Sequence, residues 1–200
     1  PYVKTCGFIR NQQNKELIQK SIIGLDQKVK IIKLYVISPA YTYSDEINRR
    51  SIEQKLITGK TKEKFQNALM HSDIVFYAGH SRKKGGPDFG PAKRKIEDGE
   101  FHVDYDWYAK NRPGMKLMTE ALAKRESSKK LIYGMFSCDS LESFSDDIRM
   151  KTKAKISTIL SSRVTENRES QKAILTTLNA LFNFSCDSQL GLKGQPFSTS

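Results

Sequence analysis

The chain has 200 residues, 38% of them hydrophobic and 28% charged, and a formal net charge of +12 at pH 7. A chain of that size buries about 70% of its extended surface, so neither disorder nor a disulfide-stapled scaffold is needed to account for it, and no run approaches the ~20 apolar residues of a membrane span. The positive charge suits anionic partners, nucleic acid among them, or describes a basic solvated surface, because the lysines are scattered rather than clustered.

Residues 2–10, β-branched and aromatic, are predicted to form a first strand. Residues 11–25 place Leu17, Ile18, Ile22 and Leu25 at helical spacing, with Asn11 as the cap. A β-rich run follows at 28–38 and stops at Pro39. Residues 44–70 have apolar positions that suggest two helices broken at Gly59, with His71 at the helix end. A third strand is predicted at 72–80, "SDIVFYAGH". Residues 81–113 are rich in Gly, Pro, aromatic and charged residues, and a loop of that length in a compact domain is commonly functional, so it is expected to fold over something. A helix near 114–126 leads to a fourth strand at 129–138, "KKLIYGMFSC", and a fifth strand at 154–162 precedes an amphipathic helix at 168–184. Strands alternating with helices predict an α/β fold with a mostly parallel central sheet and helices on both faces. The expected organisation is a single domain over 1–188 with the insertion 81–113, and a frayed tail over 189–200.

Ligands of parallel sheets gather at the carboxyl ends of the strands. His80 and Cys138 both fall at such ends, 58 positions apart. Alone, a histidine after a strand is more often structural, and a cysteine there is more often a small buried hydrophobe. As neighbours in a parallel sheet they would instead place a base beside a nucleophile, since an imidazole takes up a proton near neutrality and a thiolate is the reactive form of cysteine. The backbone N–H groups of Ser81 and Cys138 are the expected oxyanion donors. Gly79 would let the chain turn sharply and approach a substrate closely.

The paired segments "SDIVFYAGHS" and "KKLIYGMFSCDS", with the strand and helix after them, resemble the caspase-like cysteine peptidases. That clan includes gingipains, clostripain, metacaspases, separases and bacterial CHAT domains. The likeness covers about residues 28–185 in order and spacing. It implies a caspase–hemoglobinase-like three-layer sandwich and a cysteine endopeptidase acting on protein or peptide substrates through a thioester acyl-enzyme. His80 matches the base and Cys138 the nucleophile. Ser81 stands where the clan usually has Gly. Phe136 stands where clostripain and metacaspases have an Asp that helps bind a basic side chain, which leaves Asp139, Asp146 or Asp147 to supply such a charge. Ser137, Asp139, Ser161, Ser162 and Arg163 are the remaining candidates for lining the substrate site, and a plain turn accounts equally well for the last three. The alternative from another class is a catalytically inactive, basic binding module for an anionic partner on the same fold.

No cofactor is expected. Glu97, Asp98, Glu100, Asp104 and Asp106 lie close together with His102, and hard oxygen ligands of this kind could hold a structural calcium, although the spacing is not that of an EF-hand and a solvated acidic loop explains it more simply. Three cysteines are too few and too far apart for a zinc set. Cys6 and Cys186 either pair, which would mean an exported or periplasmic protein, or remain thiols in a cytoplasmic one. "GGPDFGP" lacks the Gly-Lys-Ser/Thr end of a P-loop.

Overall fold

The computed structural model describes residues 7–151, 156–161, 166–182 and 197–199. The chain divides into two compact units, Pro1–Pro39 and Ala40–Ser200.

The first unit is a small antiparallel sheet of β1 (Ile9–Arg10), β2 (Leu17–Ile23) and β3 (Val29–Tyr35), in the order β1-β2-β3. The helix predicted over 11–25 is therefore a turn and a strand. Asn11 explains the first part: its side-chain oxygen accepts the N–H groups of Gln13 and Asn14, and its own N–H donates to Leu17 O at 2.9 Å. A side chain that bonds its own turn in this way competes with helix formation. β-branched Ile22 and Ile23 then run into a tight reversal, where Gly24 N–H donates to Lys28 O and Gln27 sits at φ 58°. The apolar positions read as a helix face are split between the two faces of a ladder pairing Leu17 with Tyr35 and Ile23 with Val29.

The second unit opens with helices α1 (Asp45–Arg50) and α2 (Ile52–His71). They break at Ser51, not at Gly59. Ser51 closes the first helix by donating its N–H to Asn48 O, and its hydroxyl accepts Gln54 N–H to cap the second. Gly59 lies inside α2 with open space around it; a helical glycine costs about 1 kcal/mol against alanine but does not interrupt the hydrogen-bond ladder.

Then follow β4 (Ile74–Ala78), β5 (Arg94–Glu97), β6 (Glu100–Val103), α3 (Tyr105–Asn111), α4 (Pro113–Lys124), β7 (Leu131–Phe136), α5 (Ser140–Lys151), β8 (Ile156–Ser161), α6 (Asn167–Phe182) and β9 (Phe197–Thr199). The central sheet has the order β4-β7-β8-β9; the first three strands are parallel and β9 is antiparallel to β8. The fold is thus mixed α/β around a three-stranded parallel core. Three residues of the segment expected to fray form its edge strand. The rest of that tail, together with Cys6 and Cys186, lies outside the described residues.

Side chains alternate across the sheet. Val75, Tyr77, Tyr133, Met135 and Leu160 face a core completed by Phe65 and Leu69 of α2, Met118 and Leu122 of α4, and Phe144 and Ile148 of α5. Phe76, Ile132, Phe136 and Ile159 face the other way, against Ala173, Ile174 and Ala180 of α6. Each large side chain so buried contributes roughly 1.5–3 kcal/mol. Helix α5 was not anticipated from the sequence, yet its buried Phe144 and Ile148 stand four apart, one helical turn.

At the amino end of the sheet Arg125, 4% exposed, gathers main-chain carbonyls. It donates to Leu69 O at the end of α2, to Lys129 O, and to Lys130 O just before β7. Burial lowers its pKa, against the opposing charges of Asp73 and Glu126.

Candidate active site at the carboxyl ends of the parallel strands

β4 and β7 are hydrogen-bonded parallel neighbours, with Ile74 opposite Ile132 and Ala78 opposite Phe136. His80 and Cys138 therefore each stand two residues past the last matched pair. Parallel strands lie about 4.8 Å apart, so the two chains leave the sheet side by side. One hydrogen bond then ties them together: Ser81 Oγ donates to Cys138 O at 2.7 Å. Ser81 also accepts Gly86 N–H on its carbonyl, and neither bond uses the Ser81 N–H. Cys138 is half-buried and is not part of a disulfide, and His80 is exposed.

The left-handed backbone lies just beyond the position where Ser81 replaces the clan's usual Gly. Ser81 itself avoids positive φ, but Arg82, Lys83 and Lys84 take φ of 45°, 41° and 69°. Three consecutive non-glycine residues in the left-handed region cost about 1–2 kcal/mol each. Packing holds them there. Gly86 crosses the start of α4 so closely that a Cβ would lie 2.3 Å from Met115 N, and Met115 N–H donates to Gly85 O. Arg112 donates to Lys84 O and pairs with Asp147 of α5 at 2.5 Å.

The loop from 80 to 88 is organised by groups that the sequence did not single out. Tyr77, buried on β4, reaches past the strand end. Its hydroxyl accepts Asp88 N–H at 2.8 Å and lies 2.8 Å from His80 O and 2.9 Å from Asp88 O, so its one proton serves either carbonyl. Burial pushes the Tyr77 phenol well above its ordinary range, and it stays protonated. Asp88 Oδ2 accepts from Arg82 Nε at 2.9 Å and from the Tyr108 hydroxyl at 3.0 Å. The Tyr108 oxygen in turn accepts Lys93 N–H. The sequence offered two traces of this network, a tyrosine three positions before a strand-end histidine and the aromatic residues of the insertion, Tyr108 among them, and neither carried a pattern that joined them.

The same tyrosine explains Gly79. Its φ lies outside the left-handed region, but a Cβ there would stand 2.6 Å from the Tyr77 oxygen. Gly79 makes room for a side chain from within the protein.

The His80 pKa is lowered. Desolvation is the largest cause and the Arg82 charge the second; Asp88 and Asp45 oppose them. Asp45 is itself engaged by Arg49 and Arg94, each at 2.8 Å. The imidazole is accordingly held in its neutral, proton-accepting form to lower pH than a free one.

The remaining candidates divide. Ser137 and Ser161 are both fully buried. Ser161 N–H donates to Ser140 Oγ at 2.7 Å, and Ser140 donates onward to Met135 O, which pins the ends of β7 and β8 together. Ser137 Oγ has no hydrogen-bond partner among the described residues. Asp139 takes φ 48° and accepts Ser143 N–H on its carbonyl, starting α5. Asp147 is engaged by Arg112, and Asp146 is exposed. Phe136 is fully buried and packs edge-on to Phe76, with ring centroids 5.4 Å apart. Ser162 and Arg163 lie outside the described residues.

The insertion 81–113 is folded, but only part of it covers anything. Asp98 and Gly99, both at positive φ, close the β5–β6 hairpin, whose Ile96 and Phe101 are 70% and 69% exposed. Tyr108 is buried and Tyr105 is not. The acidic residues near 97–106 have other work: Asp104 caps α3 by accepting Trp107 N–H, and Glu97 and Asp106 pair with Lys95. Among the described residues no three His, Cys, Asp or Glu side chains come together as a metal set, and no helix is long and apolar enough to cross a membrane.

No protein-family model, curated protein or solved structure matches the chain.

Proposed function

We propose that the chain is a cysteine endopeptidase of the caspase-like clan, with Cys138 as nucleophile and His80 as base. The observation that carries this reading is the register of β4 and β7, which sets both residues two positions past one ladder end, with Ser81 Oγ bridging to the Cys138 carbonyl. In this scheme His80 takes the thiol proton as Cys138 Sγ forms a bond to the scissile carbonyl carbon. The N–H groups of Ser81 and Cys138 hold the resulting oxyanion. His80 returns the proton to the leaving amine, the C–N bond breaks, and water hydrolyses the thioester. The helices on both sheet faces support the three-layer arrangement of the clan. The test is hydrolysis of a peptide library together with labelling by a thiol-directed acylating probe. Both are expected for the native protein and lost in Cys138→Ala; undiminished cleavage by that variant would refute the assignment.

A second reading is favoured by one observation. Lys83 and Lys84, within four positions of His80, are exposed and make no ion pair with a described residue. A non-catalytic module would use them to hold an anion. Binding of single-stranded RNA with an affinity that falls steeply with salt, in a protein that cleaves no peptide, would favour this reading over the first.

A further inference from the structure

We propose that Tyr77, Asp88, Arg82 and Tyr108 form a bracket that positions His80, so that the base is aimed from its main chain rather than by a partner on its ring. The inference rests on His80 being the base of the proposed peptidase, and it deepens that reading by naming residues outside the dyad.

The bracket has two anchors. The inner one is the Tyr77 hydroxyl, which spans the loop from His80 O to the main chain of Asp88. Its ring is fixed in the core by Phe65 at 6.1 Å and Phe89 at 5.4 Å, so the hydroxyl is a fixed point relative to β4. The outer anchor is the Asp88 carboxylate, held by Arg82 on one side and by Tyr108 on the other. Both members of the Arg82–Asp88 pair keep less than a fifth of their side-chain surface in water, 14% and 17%. An ion pair so shielded is less screened than a surface one and keeps its geometry. Tyr108 carries the connection to α3 and, through Lys93 N–H, to the start of the hairpin segment.

A bracket of this kind has a reason to exist. The residues after His80 are in left-handed conformations that an unconstrained chain would leave. Relaxation of that turn would move His80, and a misplacement of about 1 Å at a reacting group costs on the order of a hundredfold in rate. The two ends of the outer anchor also act oppositely on the imidazole: the Arg82 cation disfavours its protonated form and the Asp88 anion favours it. The other charge facing His80 is Asp45 of α1, which Arg49 and Arg94 hold.

The experiment uses the full chain and two readouts. The first is peptide hydrolysis by Tyr77→Phe, which keeps the ring packing and removes only the hydroxyl. We expect kcat to fall roughly tenfold or more with KM little changed. Tyr108→Phe loosens only the outer anchor and is expected to cost less; it is the substitute should Tyr77→Phe not fold. The second readout is the NMR titration of the His80 imidazole, which needs no activity. Arg82→Gln should raise its pKa and Asp88→Asn should lower it. Unchanged kcat in Tyr77→Phe, or titration shifts of the same sign in the two charge variants, would overturn the bracket. A native protein that cleaves no peptide would remove the peptidase reading and, with it, the bracket's role in aiming a base; opposite shifts in the two charge variants would then show only that the Arg82–Asp88 pair acts on the His80 imidazole.

Discussion

The two ends of the parallel sheet are built differently from similar materials. At the amino end one buried arginine, Arg125, binds three carbonyls from α2 and from the approach to β7. At the carboxyl end another arginine, Arg82, binds a carboxylate and sits at φ 45°. The first end joins secondary elements through main-chain acceptors. The second contains three left-handed residues, a buried Ser137 hydroxyl with no partner among the described residues, an exposed imidazole and a half-buried thiol. Strain and unsatisfied polarity persist where the surroundings over-determine them, and they cluster where a protein does its chemistry. The run of left-handed residues beside His80 is what sets the carboxyl end apart, since buried polar atoms with no partner among the described residues also occur on Tyr133 and Thr177.

The largest effect that would break the contrast lies at the amino end. Arg125→Met leaves the carbonyls of Leu69, Lys129 and Lys130 without their donor and should cost about 3 kcal/mol by denaturant titration. It should leave the pH dependence of peptide hydrolysis unchanged. A displaced pH profile would show that the two ends are coupled.

At the carboxyl end the corresponding measurement is that pH profile itself. A depressed His80 pKa keeps the neutral base populated as pH falls, so the acid limb of kcat/KM should lie below the ordinary imidazole value of about 6.5. A limb above that value would mean that the imidazole is not held neutral. The smallest effect concerns strain. Lys83→Gly relieves a non-glycine residue at φ 41°, and after the greater chain entropy of glycine is deducted it should stabilise by about 0.5 kcal/mol. Destabilisation measured by thermal melting would mean that the lysine side chain makes a contribution larger than the strain.

What the sequence disclosed depended on range. Long apolar runs ending in Gly79-His80 and in Ser137-Cys138 were visible as buried parallel strands, and their adjacency in the sheet is what the structure shows. The helix α2 was visible from its periodicity, although its start was misplaced because Ser51 serves two caps at once. The strand β2 was not visible: four apolar residues at helical spacing also suit a twisted two-faced ladder, and only pairing with β3 decides between them. The Tyr77–Asp88–Tyr108 network was hidden for a different reason. Its members lie 11 and 20 positions apart and meet only because the loop folds back beneath the strand end. Local pattern carries no information about such a meeting.

The matched ladder of β4 and β7 also sets what changes in chain length the molecule tolerates. One residue inserted into 131–136 would advance Cys138 by about 3.3 Å and turn it to the opposite sheet face, away from His80. The same residue inserted at Asp98–Gly99, where a Cβ on the glycine would meet nothing within 4 Å, would only lengthen an exposed hairpin. The chain therefore contains two stretches that act as a ruler, 74–80 and 131–138, and between them a hairpin tip whose length can vary.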